Sequence, residues 1–175
     1  MSYYSERLAT YGPDVRALGW GSEESQLIRF KVLSQIADLH GMVVLDFGCG
    51  FGDLYAYLGK SVNYIGCDEN PDMLEQARAK YPHARFIDHP VEADYILESG
   101  AFNLLSSWEF VVTSLWEFCR CGMALNFTST LAEVKNPDIF YSDPADVVEV
   151  CTRLSKRFML RHDYKENDFC VYCYR

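Results

Sequence analysis

Several features are missing from this sequence, and each absence removes a class of protein. No apolar run approaches the roughly 18 residues that a membrane-spanning helix needs. The opening stretch, MSYYSERLATYG, lacks a charged segment followed by an apolar one, so no secretion signal is expected. Positive charge is scarce: 16 lysines and arginines stand against 25 aspartates and glutamates, a formal net charge of −9. A nucleic-acid-binding face calls for the opposite excess, so no nucleic-acid partner is expected. Internal repeats, low-complexity tracts and linkers are all absent. The seven cysteines are an odd number and sit mostly in apolar segments. Reduced thiols in a cytoplasmic protein fit that pattern better than a disulfide framework. Cys170 and Cys173 form a C-x-x-C pair and Cys119 and Cys121 a C-x-C pair. Positions three apart on a strand point to opposite faces, so neither a zinc nor a redox centre is expected.

What remains suits one folded domain. The 175 residues are 49% hydrophobic and 15% aromatic, enough for a sizeable core. Along the chain, strand-like and helix-like segments alternate. Ser22 caps a predicted helix with Glu23 and Glu24 in its first turn, and apolar residues recur at helical spacing to Leu39, where Gly41 ends it. Met42–Phe47 is a continuous apolar run, the pattern of a strand buried on both faces. Further strands are predicted at Val62–Cys67, Ala84–Ile87, around Tyr95–Leu97 and at Met123–Phe127. Helices are predicted at Asp53–Leu58, after the cap Asn70-Pro71, at Trp108–Cys119 and from Asp143-Pro144 to Leu154. Phe158–Leu160 and Phe169–Tyr174, joined by the polar turn Lys165–Asp168, read as a closing β-hairpin. The alternation predicts an α/β fold with a mostly parallel sheet, whose ligands bind beyond the carboxyl ends of the strands.

The stretch VVLDFGCGFGDL, Val43–Leu54, stands at such an end. Gly48 and Gly50 fit the dinucleotide fingerprint G-x-G-x-x-G, but Asp53 stands where its third glycine belongs. Asp46 precedes the glycines. A pyrophosphate would meet like charge on both sides, and no G-K-[ST] follows to make a phosphate loop. A ligand with an ammonium and a sulfonium would instead be favoured by those acids, while backbone N–H groups take its carboxylate. S-adenosylmethionine has all these groups. Asp68, ending the second strand, can accept from two ribose hydroxyls, and Asp88, after the third, from the adenine amine. Either aspartate can equally be a turn former or helix cap.

At these residues the chain resembles the class I S-adenosylmethionine-dependent methyltransferases, in particular small bacterial single-domain members. LDFGCGFG (Leu45–Gly52) is similar to their acid-G-x-G-x-G motif, YIGCDENPDML (Tyr64–Leu74) to their second motif and RFIDH (Arg85–His89) to their third. The resemblance implies a Rossmann-like fold: a seven-stranded, mostly parallel sheet with a C-terminal antiparallel hairpin and helices on both faces. It implies a single domain over 1–175, with 1–38 as an N-terminal cap and first helix and 39–175 as the core. Asp46 and Gly48 would hold the methionine end, Cys49 would lie in the loop, and Gly50 would allow close backbone approach. Asp68 would bind ribose. Glu69 and Met73 would line the adenine side, Asp88 would contact the adenine amine with His89 nearby, and Ser99 would border the cofactor. Arg29 is assigned to the methionine carboxylate, with a solvated helix position as the alternative.

The implied activity is methyl transfer to an O, N or C nucleophile. The alternatives are a non-catalytic S-adenosylmethionine binder, another reaction of that cofactor, or a nucleotide-dependent oxidoreductase. DNA amino-methylating members carry [DNS]-P-P-[YFW] after strand four, where this chain reads ESGAFN (Glu98–Asn103), and no Pro-Cys nucleophile stands there. A small-molecule substrate is therefore expected. His162, Asp163 and Tyr164, ending strand six, are the candidate catalytic group, with His162 as base. A structural His162 bonded to Asp163 or to backbone is the alternative. Tyr3, Tyr4, Tyr11 and Trp20 are expected to fold over the site as a lid or to pack on the sheet.

Overall fold

A computed structural model describes residues 3–175. Seven strands form one sheet: β1 (Val43–Phe47), β2 (Asn63–Cys67), β3 (Arg85–Ile87), β4 (Ala93–Ser99), β5 (Cys119–Thr128), β6 (Arg157–Lys165) and β7 (Asp168–Tyr174). Their order across the sheet is β3-β2-β1-β4-β5-β7-β6. β1 to β5 are parallel, and β7 runs antiparallel to both β5 and β6. The described helices are α1 (Tyr3–Tyr11), α2 (Glu23–Leu33), α3 (Asp53–Leu58), α4 (Pro71–Lys80), α5 (Trp108–Trp116) and α6 (Pro144–Leu154), with short 3₁₀ turns at Val15–Leu18, Ser34–Ile36 and Ala101–Leu104.

The two faces of β1 explain its unbroken apolar run. Val44 packs in one core layer with Leu33 and Leu74 from α2 and α4, and Leu45 in the other with Leu115 and Val150 from α5 and α6. The chain adds β2 and β3 on one side of β1 and then β4 on the other, so strand order reverses at β1. Ligand clefts of such sheets open at that reversal. The C-x-x-C pair divides as its spacing requires: Cys170 lies in the α2 layer and Cys173 in the α5–α6 layer.

The first long helix is shorter than its apolar spacing suggests. α2 stops at Leu33, a 3₁₀ turn follows, and Ala37 is extended. Two tyrosines of β7 hold this end open: the Tyr172 hydroxyl donates to the Val32 carbonyl at 2.5 Å and the Tyr174 hydroxyl to that of Ile36 at 3.2 Å. They satisfy carbonyls that a helix end leaves free. Gly41 belongs to a separate turn, with φ +74° and its N–H donating to the Ser61 carbonyl.

The connection from β3 to β4 is also unusual. Asp88–Glu92 alone joins two parallel strands that lie on opposite sides of β2 and β1, where a dozen or more residues and a helix are usual. A thin strap therefore runs from Asp88 at the cavity to Val91 and Glu92 near Val43, the first residue of β1. Among the described residues, no helix is long and apolar enough to cross a membrane.

Candidate functional site

The ends of β1, β2 and β4 surround a cavity of about 610 Å³. Its floor is the glycine loop, where Gly48, Gly50 and Gly52 take φ values of +71°, +53° and +75°. The N–H groups of Gly48 and Cys49 donate to the Cys67 carbonyl at 2.8 and 3.0 Å, which ties the loop to β2. The space a Cβ would need at Gly48 lies 2.5 Å from the Ala101 Cβ. Gly48→Ala combines a left-handed backbone with that overlap. It is expected to destabilise the fold by about 2 kcal/mol or more, read as a lower urea midpoint.

The acids differ in setting. Asp46 is buried, and the Tyr64 hydroxyl donates to it at 2.6 Å. Burial pushes its carboxyl up to about 7 against that hydrogen bond, with Asp68 and Asp53 adding like charge. Asp68 accepts from the N–H groups of Gly50 and Asn70, each at 2.9 Å. Burial raises it as well, opposed by those two donors. Asp88 is solvent-exposed and pairs with His89 at 2.7 Å, a contact that holds it below the usual carboxylate range.

Asp46, Gly48, Cys49, Gly50, Asp68, Glu69, Met73, Asp88 and Ser99 all line this one cavity. The other assigned residues stand elsewhere. His89 turns to solvent with its ring 74% exposed. Arg29 is buried on α2, ion-paired with Asp168, donating to Ser25 and lying over the Trp20 ring at 4.6 Å. It supports the wall behind Trp20 and does not border the cavity. The candidate catalytic group is likewise outside it. β6 does run parallel to β4, so its end faces the right way, but β5 and β7 lie between them, a lateral gap of roughly 14 Å. There Asp163 pairs with Arg161, Tyr164 accepts from the Asn126 amide at 2.7 Å, and His162 packs edge-on against Phe169.

Several residues beyond those assigned complete the site. Glu98 ends β4 wholly buried and accepts from the N–H groups of Ala101 and Phe102, shaping the turn that carries Ser99 and Gly100 to the cavity. A third N–H, from Asn126, reaches its other oxygen, and burial nonetheless lifts the carboxyl to about 8. An acid closing an apolar strand just before Ser-Gly was the available signal. Leu18 fills the space over Gly50, its Cδ2 2.7 Å from where a Cβ would stand, and the Trp20 ring does the same over Gly100. Tyr3 and Tyr4 of α1 also face the cavity, whereas Tyr11 does not line it. Among the described residues no cluster of three or more His, Cys, Asp or Glu is placed to hold a metal ion.

Residues 44–134, just over half of the chain, match the family model described as a methyltransferase domain. The chain belongs to this family. Two curated relatives are similar to this methyltransferase domain. The trans-aconitate 2-methyltransferase of Afipia carboxidovorans is 34% identical over 112 residues, covering 61% of this chain and 43% of its own. That of an Enterobacter species is 35% identical over 91 residues, covering 48% and 34%. The chain thus spans less than half the length of these relatives. Among solved structures, an S-adenosylmethionine-dependent methyltransferase from Aquifex aeolicus superposes with a TM-score of 0.73 at 18% identity, covering 99% of both chains. Magnesium protoporphyrin IX methyltransferase from Synechocystis, solved with S-adenosylhomocysteine, gives 0.70 at 13% identity over 89% of each. At such identities the likeness concerns the fold, which is that of the class I S-adenosylmethionine-dependent methyltransferases.

Proposed function

We propose that this methyltransferase domain transfers the methyl group of S-adenosylmethionine to an oxygen, nitrogen or carbon atom of a small molecule. The observation that carries this reading is the meeting of Asp46, Asp68 and Asp88, from the ends of three strands, around one glycine-floored cavity. The residues present fit the cofactor. Asp68 uses one lone pair on each oxygen for Gly50 and Asn70 and keeps acceptor capacity for a ribose diol. Buried Asp46 offers negative charge beside the loop, and Met73 an apolar wall for a base. The Ser99 hydroxyl is buried and has no partner, so it is available to a ligand.

S-adenosylmethionine, when bound, supplies a methyl group already activated by its sulfonium. The protein's share is positioning and exclusion of water, which needs no fixed triad. Leu18 and Trp20 roof the glycine loop and the turn after β4, and Tyr4 closes the wall beside them. Burial raises the Tyr4 hydroxyl far above its ordinary range, so it acts as a neutral hydrogen-bond donor and not as a base. A small acceptor is supported by the acidic balance of the chain and by the missing nucleic-acid motifs after β4. The two curated relatives, named for trans-aconitate, agree with that size class.

Purified protein incubated with methyl-labelled S-adenosylmethionine and a metabolite extract should release S-adenosylhomocysteine and label a small compound. Binding of the cofactor without any turnover would instead mark a sensor. A pH profile of binding adds a second check. Burial pushes the Asp46 carboxyl up to about 7, and a cationic ligand favours its ionised form. Below that pH, binding has to expel the proton, so affinity is expected to fall by up to about tenfold per unit between pH 7 and 5. Asp46→Asn should flatten this slope in calorimetric titrations, and an equal slope in both proteins would exclude Asp46 as its source.

A further inference from the structure

We infer that the methyl acceptor is an uncharged molecule with an apolar, ring-sized body, and not a polycarboxylate. The inference rests on the methyltransferase reading above and names the substrate class of the same cavity. Among the described residues lining it, none is lysine, arginine or histidine, while Asp46, Asp68, Glu69 and Asp88 all are present. Basic side chains close by are engaged elsewhere, Arg78 by the Phe86 carbonyl among them. Arg29 is held by Asp168 beneath Trp20. Arg7 donates both Nε and Nη2 to the Arg16 carbonyl, at 3.0 and 2.5 Å, and lies against the rings of Tyr3 and Tyr11. His89 is in solvent beside Asp88.

S-adenosylmethionine carries one carboxylate against an ammonium and a sulfonium. It thus brings one net positive charge to a cavity with four acids. A tricarboxylate entering beside it would place three more negative charges where no protein cation can meet them. Burying unpaired charge is strongly unfavourable, and like charge at short range adds to that. The walls left over suit a different guest. Tyr3, Tyr4 and Trp20 face in from the N-terminal side, and Leu104, Phe110 and Val111 from the α5 side. Aromatic and aliphatic walls with a few hydroxyl and amide groups bind neutral, flat bodies bearing one or two hydrogen-bonding atoms. This departs from the curated relatives named for trans-aconitate, which share only part of the chain.

The test is calorimetry on the wild-type protein at pH 8, first with S-adenosylhomocysteine, then with two probes added to the saturated complex. The probes are 2-naphthol, neutral with one hydroxyl, and trans-aconitate, a tricarboxylate. The expected result is 2-naphthol binding at least tenfold more tightly than trans-aconitate. Equal or tighter binding of trans-aconitate, or no binding of either probe, overturns the inference and leaves the cofactor assignment intact. Failure of S-adenosylhomocysteine itself to bind overturns the methyltransferase reading and this inference with it.

Discussion

Asp68→Ala is expected to weaken S-adenosylmethionine binding about 100-fold. In the folded protein the carboxylate serves three ends at once. It accepts from the Gly50 N–H and so fixes the glycine loop against β2, it accepts from the Asn70 N–H at the start of α4, and it faces the cavity. In the proposed complex it also accepts from two ribose hydroxyls. Hydrogen bonds to a charged group each contribute about 1.5–3 kcal/mol, and losing two with some relaxation leaves roughly 3 kcal/mol, or two decades of affinity. Asp68→Asn keeps an acceptor for one hydroxyl and should fall between the two. The comparison is made by titration on protein whose melting temperature has been checked, since the loop contacts are lost as well. An alanine variant that binds within threefold of wild type would show that the second strand end does not hold the cofactor.

The largest effect on stability is expected at Arg29. Its side chain is 7% exposed and that of its partner Asp168 is 1% exposed, and the pair joins α2 to the start of β7. Arg29→Ala leaves a buried carboxylate without a counter-charge and removes the cation under the Trp20 ring. Breaking one side of such a pair costs about 3–5 kcal/mol. For a domain of this size that corresponds to a fall in melting temperature of roughly 10 °C. The double variant Arg29→Met with Asp168→Leu removes both charges and should recover most of the loss. Urea denaturation of the three proteins checks this. An unchanged midpoint in Arg29→Ala would mean that the pair does not stabilise the fold.

Arg29 also shows where reading the sequence stops short. Its place on the first long helix was legible, but its partner lies 139 positions away, on a strand whose neighbour in the sheet only the folded chain decides. The same limit misplaced the candidate base. The hairpin ending in His162, Asp163 and Tyr164 was visible as two apolar runs about a polar turn. Its insertion order, β7 against β5 with β6 outermost, was not, and that order carries the three residues away from the cavity. By contrast, three of the acids that line the cavity were legible because each stands at the carboxyl end of a parallel strand. Such strands appear as continuous apolar runs, and their carboxyl ends all open on one side of the sheet. Asp46, Asp68 and Asp88 needed no long-range pairing to be found. Leu18 over Gly50 and Trp20 over Gly100 come from a segment whose docking nothing local reveals. The early end of α2 depends on tyrosine hydroxyls from the last strand.

The cofactor assignment is tested most directly by calorimetric titration of the purified protein with S-adenosylhomocysteine and, separately, with NAD. The glycine loop has the shape of a dinucleotide site, and only the acids at its borders turn the assignment to a cationic amino-acid nucleoside. One S-adenosylhomocysteine bound per chain and no measurable heat from NAD are expected. Saturable binding of NAD with none of S-adenosylhomocysteine would contradict the assignment.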